Sequence, residues 1–282
     1  MELKQVIKTY VDYRTKMQAL GYASYIISWD SETEAPVGCF EERSKQIGVL
    51  SEMSYSLERS EEYIDAVKYL FEQGCHLVIL ACNTASAKAL RTIQQNDLPQ
   101  IDSTRRVLGV IRPTVEKVGE LSKNGNIGIF GTPGTIQSQS YNLEISKLHP
   151  SFNTFGNGCP MWVPLVENRE ADKPGADYFV KQEVDNLLYK CADIDTIILA
   201  CTHYPLLFDK IRHYVPQPIQ VIKQGEIIAE SLVDYMRRHP EIDTLCTQNG
   251  ITKYLTTENA SKFSEMASIF LNQPITATQI EL

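Results

Sequence analysis

Apolar residues follow two rhythms along this chain. Short unbroken runs rich in Val, Ile and Leu recur at 76–80, 126–130, 196–200, 218–222 and 251–255. Each reads as a strand covered on both faces, as in a parallel sheet packed between helices. Between the runs, apolar positions step by three and four, as in Ile64, Val67, Leu70 and Phe71, which marks a helix with one buried face. Further helices are predicted through Leu90 and Ile93, from Val107 to Leu121 with a kink at Pro113, from Asp177 to Tyr189, through Phe208 and Ile211, from Ile227 to Met236 and from Ala260 to Phe270. Strand alternating with helix predicts an α/β fold with parallel sheets.

The front of the chain has another texture. Val6, Tyr10, Tyr13, Met17, Leu20 and Ile27 are three, four or seven residues apart, and Phe40, Ile47, Leu50 and Leu57 continue beyond a break at Ala35-Pro36-Val37-Gly38. This pattern predicts a helical hairpin over residues 1–62, without strands. The two prolines in Cys159-Pro160-Met161-Trp162-Val163-Pro164-Leu165-Val166-Glu167 predict a loop at the edge of a cleft, and the tail after Pro274 has no assignable period.

Two strands end alike, in Ala81-Cys82-Asn83-Thr84-Ala85-Ser86 and in Ala200-Cys201-Thr202-His203-Tyr204-Pro205. Both cysteines therefore stand at carboxyl ends of strands, the edge where open α/β sheets bind ligands. A helix begins just after Cys82, and its free N–H groups favour the thiolate. A buried cysteine is ordinarily a small hydrophobe, and Cys39, Cys75, Cys159, Cys191 and Cys246 are read that way. The matched setting of Cys82 and Cys201 points instead to two thiols facing one small substrate. A zinc site from Cys82, Cys201 and His203 lacks close ligand spacing. Gly131-Thr132-Pro133-Gly134-Thr135 offers backbone and hydroxyl donors to an anion, without the ending of a nucleotide loop.

Composition narrows the partners. A formal charge of -8 over 282 residues and a pI near 5.2 argue against a general nucleic-acid binder. Seven cysteines without a recognisable leader fit a reducing cytoplasm, and no apolar run reaches membrane-spanning length. Inverting a carbon through its abstractable proton needs a base on one face and an acid on the other. Two thiols, one ionised, can exchange those roles without a cofactor.

From about Ala66 onward the two cysteine motifs resemble those of glutamate racemases in the aspartate/glutamate racemase family. The resemblance implies two similar α/β domains with the site between them, here 63–103 with 223–282 and 104–222. It implies Cys82 and Cys201 as the acid/base pair, His203 assisting Cys201, and Glu167 as the acid closing the Val-Pro-Leu-Val-Glu motif. Asn83, Thr84, Thr132, Thr135 and Thr202 would bind substrate, and the implied role is D-glutamate supply for peptidoglycan, from a homodimer.

That family begins with a strand ending in Asp-Ser-Gly and carries a later Pro-Tyr-Gly loop. Neither motif occurs here; Ile26-Ile27-Ser28-Trp29-Asp30-Ser31 echoes the first and offers Asp30 in its place. Ser28 to Pro36, with Arg43-Ser44 and Gly48-Val49-Leu50-Ser51, instead resembles the amino-terminal helices of Taq-type metallocarboxypeptidases. The His-Glu-x-x-His metal motif of those enzymes is missing, so peptidase chemistry is not expected. Together these features imply either a racemase weakened at its front or an inert fusion of a racemase remnant with a carboxypeptidase fragment.

Overall fold

The computed structural model describes residues 24–27, 46–50, 60–246, 252–257, 259–271 and 273–282. These fall into two compact units, one of Ile111–Ile227 and one of the described residues up to Val110 together with those from Ile228. Each is a parallel sheet flanked by helices, so the expected α/β class holds.

The discontinuous unit contains β1 (Ser24–Ile27), β2 (Gln46–Leu50), β3 (Cys75–Leu80), β4 (Arg106–Gly109), β9 (Lys253–Thr256) and β10 (Ala277–Gln279), in the spatial order β10-β9-β1-β2-β3-β4, with every pair parallel. β3 shows why a cysteine strand reads as a continuous apolar run. Val78 and Leu80 pack with Val67, Leu70 and Phe71 of the helix Ser60–Glu72. Leu77 and Ile79 point the other way, into a cluster with Leu232, Met236 and Ile242. Each fully buried Leu, Ile or Val contributes about 1.5–3 kcal/mol relative to exposure, so both faces demand apolar residues.

The helical hairpin expected over 1–62 is corrected at Ser24–Ile27 and Gln46–Leu50, which are strands inside this sheet. Tyr25-Ile26-Ile27 and Ile47-Gly48-Val49-Leu50 are short apolar runs that fit either period. Their pairing decides the outcome: Ile27 lies opposite both Leu50 and Leu255, and Leu50 opposite Leu80. The rest of the hairpin up to residue 59, including Asp30 and Cys39, lies outside the described residues. Other expectations also shift. Val107 to Gly109 is strand rather than helix, and Pro113 sits in the first turn of the helix Ile111–Leu121, where a missing N–H breaks no bond. The unassigned tail supplies edge strand β10.

The continuous unit holds β5 (Asn126–Gly131), β6 (Asn153–Gly158), β7 (Thr196–Ala200) and β8 (Gln220–Ile222), ordered β6-β5-β7-β8 and all parallel. Asp195 fastens its lower end. Its carboxylate accepts the Ser122 hydroxyl at 2.7 Å and the Lys123 and Asn124 N–H groups at 2.6 and 2.8 Å. Burial opposes the charge, but these donors outweigh it and hold the carboxyl below the usual aspartate range. Nearby, the helical Gly119 makes room for His149, whose ring stacks on Phe152 and bonds the Val115 carbonyl at 3.2 Å. A Cβ on Gly119 would lie 2.1 Å from the His149 ring.

No described helix is long and apolar enough to cross a membrane.

Two tests follow from these contacts. Gly119→Ala should lower unfolding free energy by about 1–2 kcal/mol in urea titration, and the loss should vanish in a His149→Ala background. A depressed native pKa adds stability that is present above the unfolded aspartate pKa and lost as pH falls through the native one. The urea midpoints of wild type and Asp195→Asn should therefore differ at pH 7 and converge as the pH drops below about 4.

Candidate active site

In the continuous unit, three neighbouring parallel strands release their carboxyl ends at one level. Gly131 of β5 is in register with Ala200 of β7 and with Gly158 of β6, so Thr132, Cys201 and Cys159 follow at adjacent places. Thr132 adopts extended backbone and caps the short helix Pro133–Gln137, its hydroxyl accepting the Thr135 N–H at 3.2 Å. The two threonine hydroxyls are 3.1 Å apart and buried.

Cys201 and His203 are both buried just past β7. The Cys201 Sγ lies 3.9 Å from His203 Nδ1, and the Thr202 hydroxyl approaches the same nitrogen at 3.5 Å. On the far side of the ring, His203 Nε2 is 3.4 Å from Glu167 Oε1, whose side chain is one-third exposed. A carboxylate accepting the Nε2 proton leaves the Nδ1 lone pair facing the thiol, so the imidazole can take the thiol proton and return it.

Three aromatic rings fix this row. Trp162, on the helix Trp162–Glu167 that ends in the acid, packs edge-on against Tyr204, the residue after His203, with centroids 4.8 Å apart. Trp162 also lies 4.8 Å from Phe130 of β5. The Tyr204 hydroxyl donates to the Cys159 carbonyl at 3.2 Å, and the Trp162 indole N–H to the Phe179 carbonyl at 3.3 Å. Residues 162–167, expected as a loop, are thus helical. Pro164 falls in the first turn, where proline is tolerated, and the buried indole anchors the segment.

Cys82 belongs to the other unit. It follows β3, takes extended backbone with φ −69° and ψ 127°, and its carbonyl accepts the Ser86 N–H at 2.9 Å, opening the helix Asn83–Lys88. Asn83 and Thr84 are buried beside it. Ser86 clamps the turn: its hydroxyl donates to the Leu80 carbonyl at 2.7 Å and accepts the Val110 N–H at 3.3 Å. Gly109 permits that approach, since a Cβ there would lie 2.9 Å from the Ser86 hydroxyl and 2.5 Å from Leu90. Ser86 carries no signal in the sequence, because its role depends on Val110, which follows a different strand.

Three of the remaining cysteines suit a structural part. Burial raises the thiol pKa of Cys75 and Cys159, and pushes that of Cys246 up to about 12. Among the described residues, no three His, Cys, Asp or Glu side chains converge as a metal site.

The profile of the Asp/Glu/hydantoin racemase family matches residues 51–232, a span containing both cysteine turns, the Thr132 cap, Glu167 and His203. The chain belongs to this racemase family. Among curated relatives, the glutamate racemase of Ruegeria sp. (strain TM1040) is 36% identical over 221 residues, 75% of this chain and 79% of that protein. That of Persephonella marina is 34% identical over 220 residues, 78% of each chain. The structure of glutamate racemase isoform RacE1 from Bacillus anthracis matches with TM-score 0.76 and 26% identity, covering 98% of this chain and 94% of the other. A Francisella tularensis glutamate racemase solved with D-glutamate shares the fold, with TM-score 0.72 and 20% identity over 93% and 98% of the two chains. The racemase part of the sequence resemblance therefore stands.

If Glu167 acts by holding the His203 ring toward the thiol, Glu167→Gln should reduce racemase kcat/KM by roughly 10–100-fold, and His203→Asn by more. Steady-state kinetics with thermal unfolding as a control checks both.

Proposed function

We propose that this chain interconverts L- and D-glutamate by proton transfer between Cys82, Cys201 and the substrate α-carbon, without a cofactor. The observation that carries this reading is the Cys201–His203–Glu167 row at the end of a parallel strand, in a chain whose relatives are glutamate racemases. One thiolate removes the α-proton and becomes a thiol, and the electron pair of the broken C–H bond stays on the substrate. The second thiol protonates the opposite face and becomes a thiolate. Reversing the roles runs the reaction backwards.

Thr132 and Thr135, with Thr202, are assigned to the substrate carboxylates and ammonium group on the Cys201 side, and Asn83 and Thr84 on the Cys82 side. Their hydroxyls and amide, buried except for the half-buried Thr202, can replace the water such charged groups lose. The product is D-glutamate for peptidoglycan, made in the cytoplasm, and the working assembly is a homodimer.

A second reading, an inert fold, draws on the absence of Asp-Ser-Gly and Pro-Tyr-Gly from the sequence. Proton NMR of each enantiomer in heavy water separates the two. Loss of the α-proton signal from both L- and D-glutamate is expected, abolished in Cys82→Ala and in Cys201→Ala. An unchanged signal at high protein concentration would replace the racemase reading with the inert one.

A further inference from the structure

Glu167, the acid that faces His203, is the last residue of the helix Trp162–Glu167, which is only 6 residues long. So short a helix has few internal bonds, and the carbonyls of its last turn need donors from the chain that follows. The Asn168 N–H reaches the Pro164 carbonyl at 3.0 Å, the Arg169 N–H the Val166 carbonyl at 3.1 Å, and the Glu170 N–H the Leu165 carbonyl at 2.8 Å. The Asn168 side-chain amide donates to the Pro164 carbonyl as well, at 2.9 Å. The nested pair of bonds from Arg169 and Glu170 is the Schellman closure of a helix, which demands left-handed backbone at the first of the two donors.

That donor is Arg169, and its φ is 59°. Glycine usually takes this place, because a Cβ in left-handed backbone crowds the following carbonyl. Among the described residues, Arg169 shares a positive φ with one other non-glycine residue, Gln139. The Arg169 side chain is exposed, so core packing does not account for the conformation. The next position, where the closure commonly adds an apolar contact, holds Glu170, whose carboxylate accepts Lys173 Nζ at 2.6 Å. Strained residues persist where the surrounding structure over-determines them, and they cluster at functional sites. Here the neighbour is Glu167, two residues earlier and 3.4 Å from His203 Nε2.

Resting on the two-thiol reading above for its effect on rate, we propose that Arg169 is a positioning residue whose left-handed backbone closes the helix and so holds the Glu167 carboxylate against His203 Nε2. The device is the backbone, not the guanidinium. Without the closure the Leu165 and Val166 carbonyls lose their donors, the last turn opens, and Glu167 loses its fixed approach to the ring. An imidazole released on that side no longer keeps Nδ1 facing the Cys201 sulfur, 3.9 Å away. Misplacement of a reacting atom by about 1 Å can cost on the order of a hundredfold in rate. Helix, closure, imidazole and thiol all lie within Ile111–Ile227.

The test replaces Arg169 with Val, whose branched side chain opposes left-handed backbone, and with Asn and Gly, which accept it. Arg169→Val should lower racemase kcat roughly tenfold with KM unchanged, because the displaced carboxylate serves the imidazole. Arg169→Asn and Arg169→Gly should restore the wild-type kcat. In a Glu167→Gln background Arg169→Val should add no further loss. Nitrogen-15 NMR of labelled histidine, with His203 assigned through His203→Asn, reads the same contact without turnover. The His203 ring-nitrogen shifts should move toward those of Glu167→Gln in Arg169→Val and keep their wild-type values in Arg169→Asn and Arg169→Gly. Three results would each overturn the proposal: an Arg169→Val protein that matches wild type, Asn and Gly variants as impaired as the Val one, or an undiminished loss in the Glu167→Gln background. If Arg169→Val does not fold, Arg169→Thr, branched but polar at this exposed position, takes its place. A wild-type protein that exchanges neither α-proton removes the two-thiol reading, and the ring-nitrogen shifts then decide by themselves whether Arg169 holds Glu167 against His203.

Discussion

Parallel strand pairing with both faces covered is the constraint on which this molecule rests. A strand such as β3, packed against Leu70 and Phe71 on one side and Leu232 and Met236 on the other, has no position for a reactive polar group from Leu77 to Leu80. Chemistry must wait until the strand has ended. Cys82 stands two residues past Leu80, and Cys201 one residue past Ala200. In the same way Thr132 follows the last residue of β5. The sheets thus deliver their functional residues at carboxyl ends because every other place is occupied by the core.

Delivery alone does not fix geometry, and different devices do so in the two units. Around Cys201 the device is aromatic: Phe130, Trp162 and Tyr204 bind the segment carrying Glu167 to the turn carrying His203. Rings of this size bury about 150–250 Å² each and prefer edge-to-face contact, so they hold two segments at a defined angle. Around Cys82 the device is a single hydroxyl, Ser86, bridging the end of β3 and the residue after β4. The first arrangement supports an imidazole that must keep its two nitrogens facing different partners. The second needs only to hold a backbone turn.

The cysteines divide along the same lines. Cys75, Cys159 and Cys246 are kept as thiols by burial, whereas Cys82 and Cys201 sit among hydroxyl, amide and imidazole groups. A place just past a strand does not by itself separate packing from chemistry, since Cys159 also follows β6; the polar neighbours of Cys82 and Cys201 do.

Local pattern determined the two cysteine strands, the Thr132 turn and the class of fold, since a doubly covered strand must be written as an unbroken apolar run. His203 and Glu167 were reached through the motifs that carry the family resemblance. Only tertiary structure decided the strand state of Ser24–Ile27 and Gln46–Leu50, because short apolar runs satisfy both periods until neighbouring strands pair with them. The Asn- and Gly-rich edge strand β6 has a single large apolar residue, Phe155, and so no apolar run, and Trp162 anchors an expected loop as a helix by filling the core. Ser86 and Gln224 remained silent for a related reason. Ser86 reaches Val110, 24 residues away, and the Gln224 amide reaches Tyr141 and Thr114, 83 and 110 away, and a hydrogen bond between such distant residues exists only once the fold has brought them together.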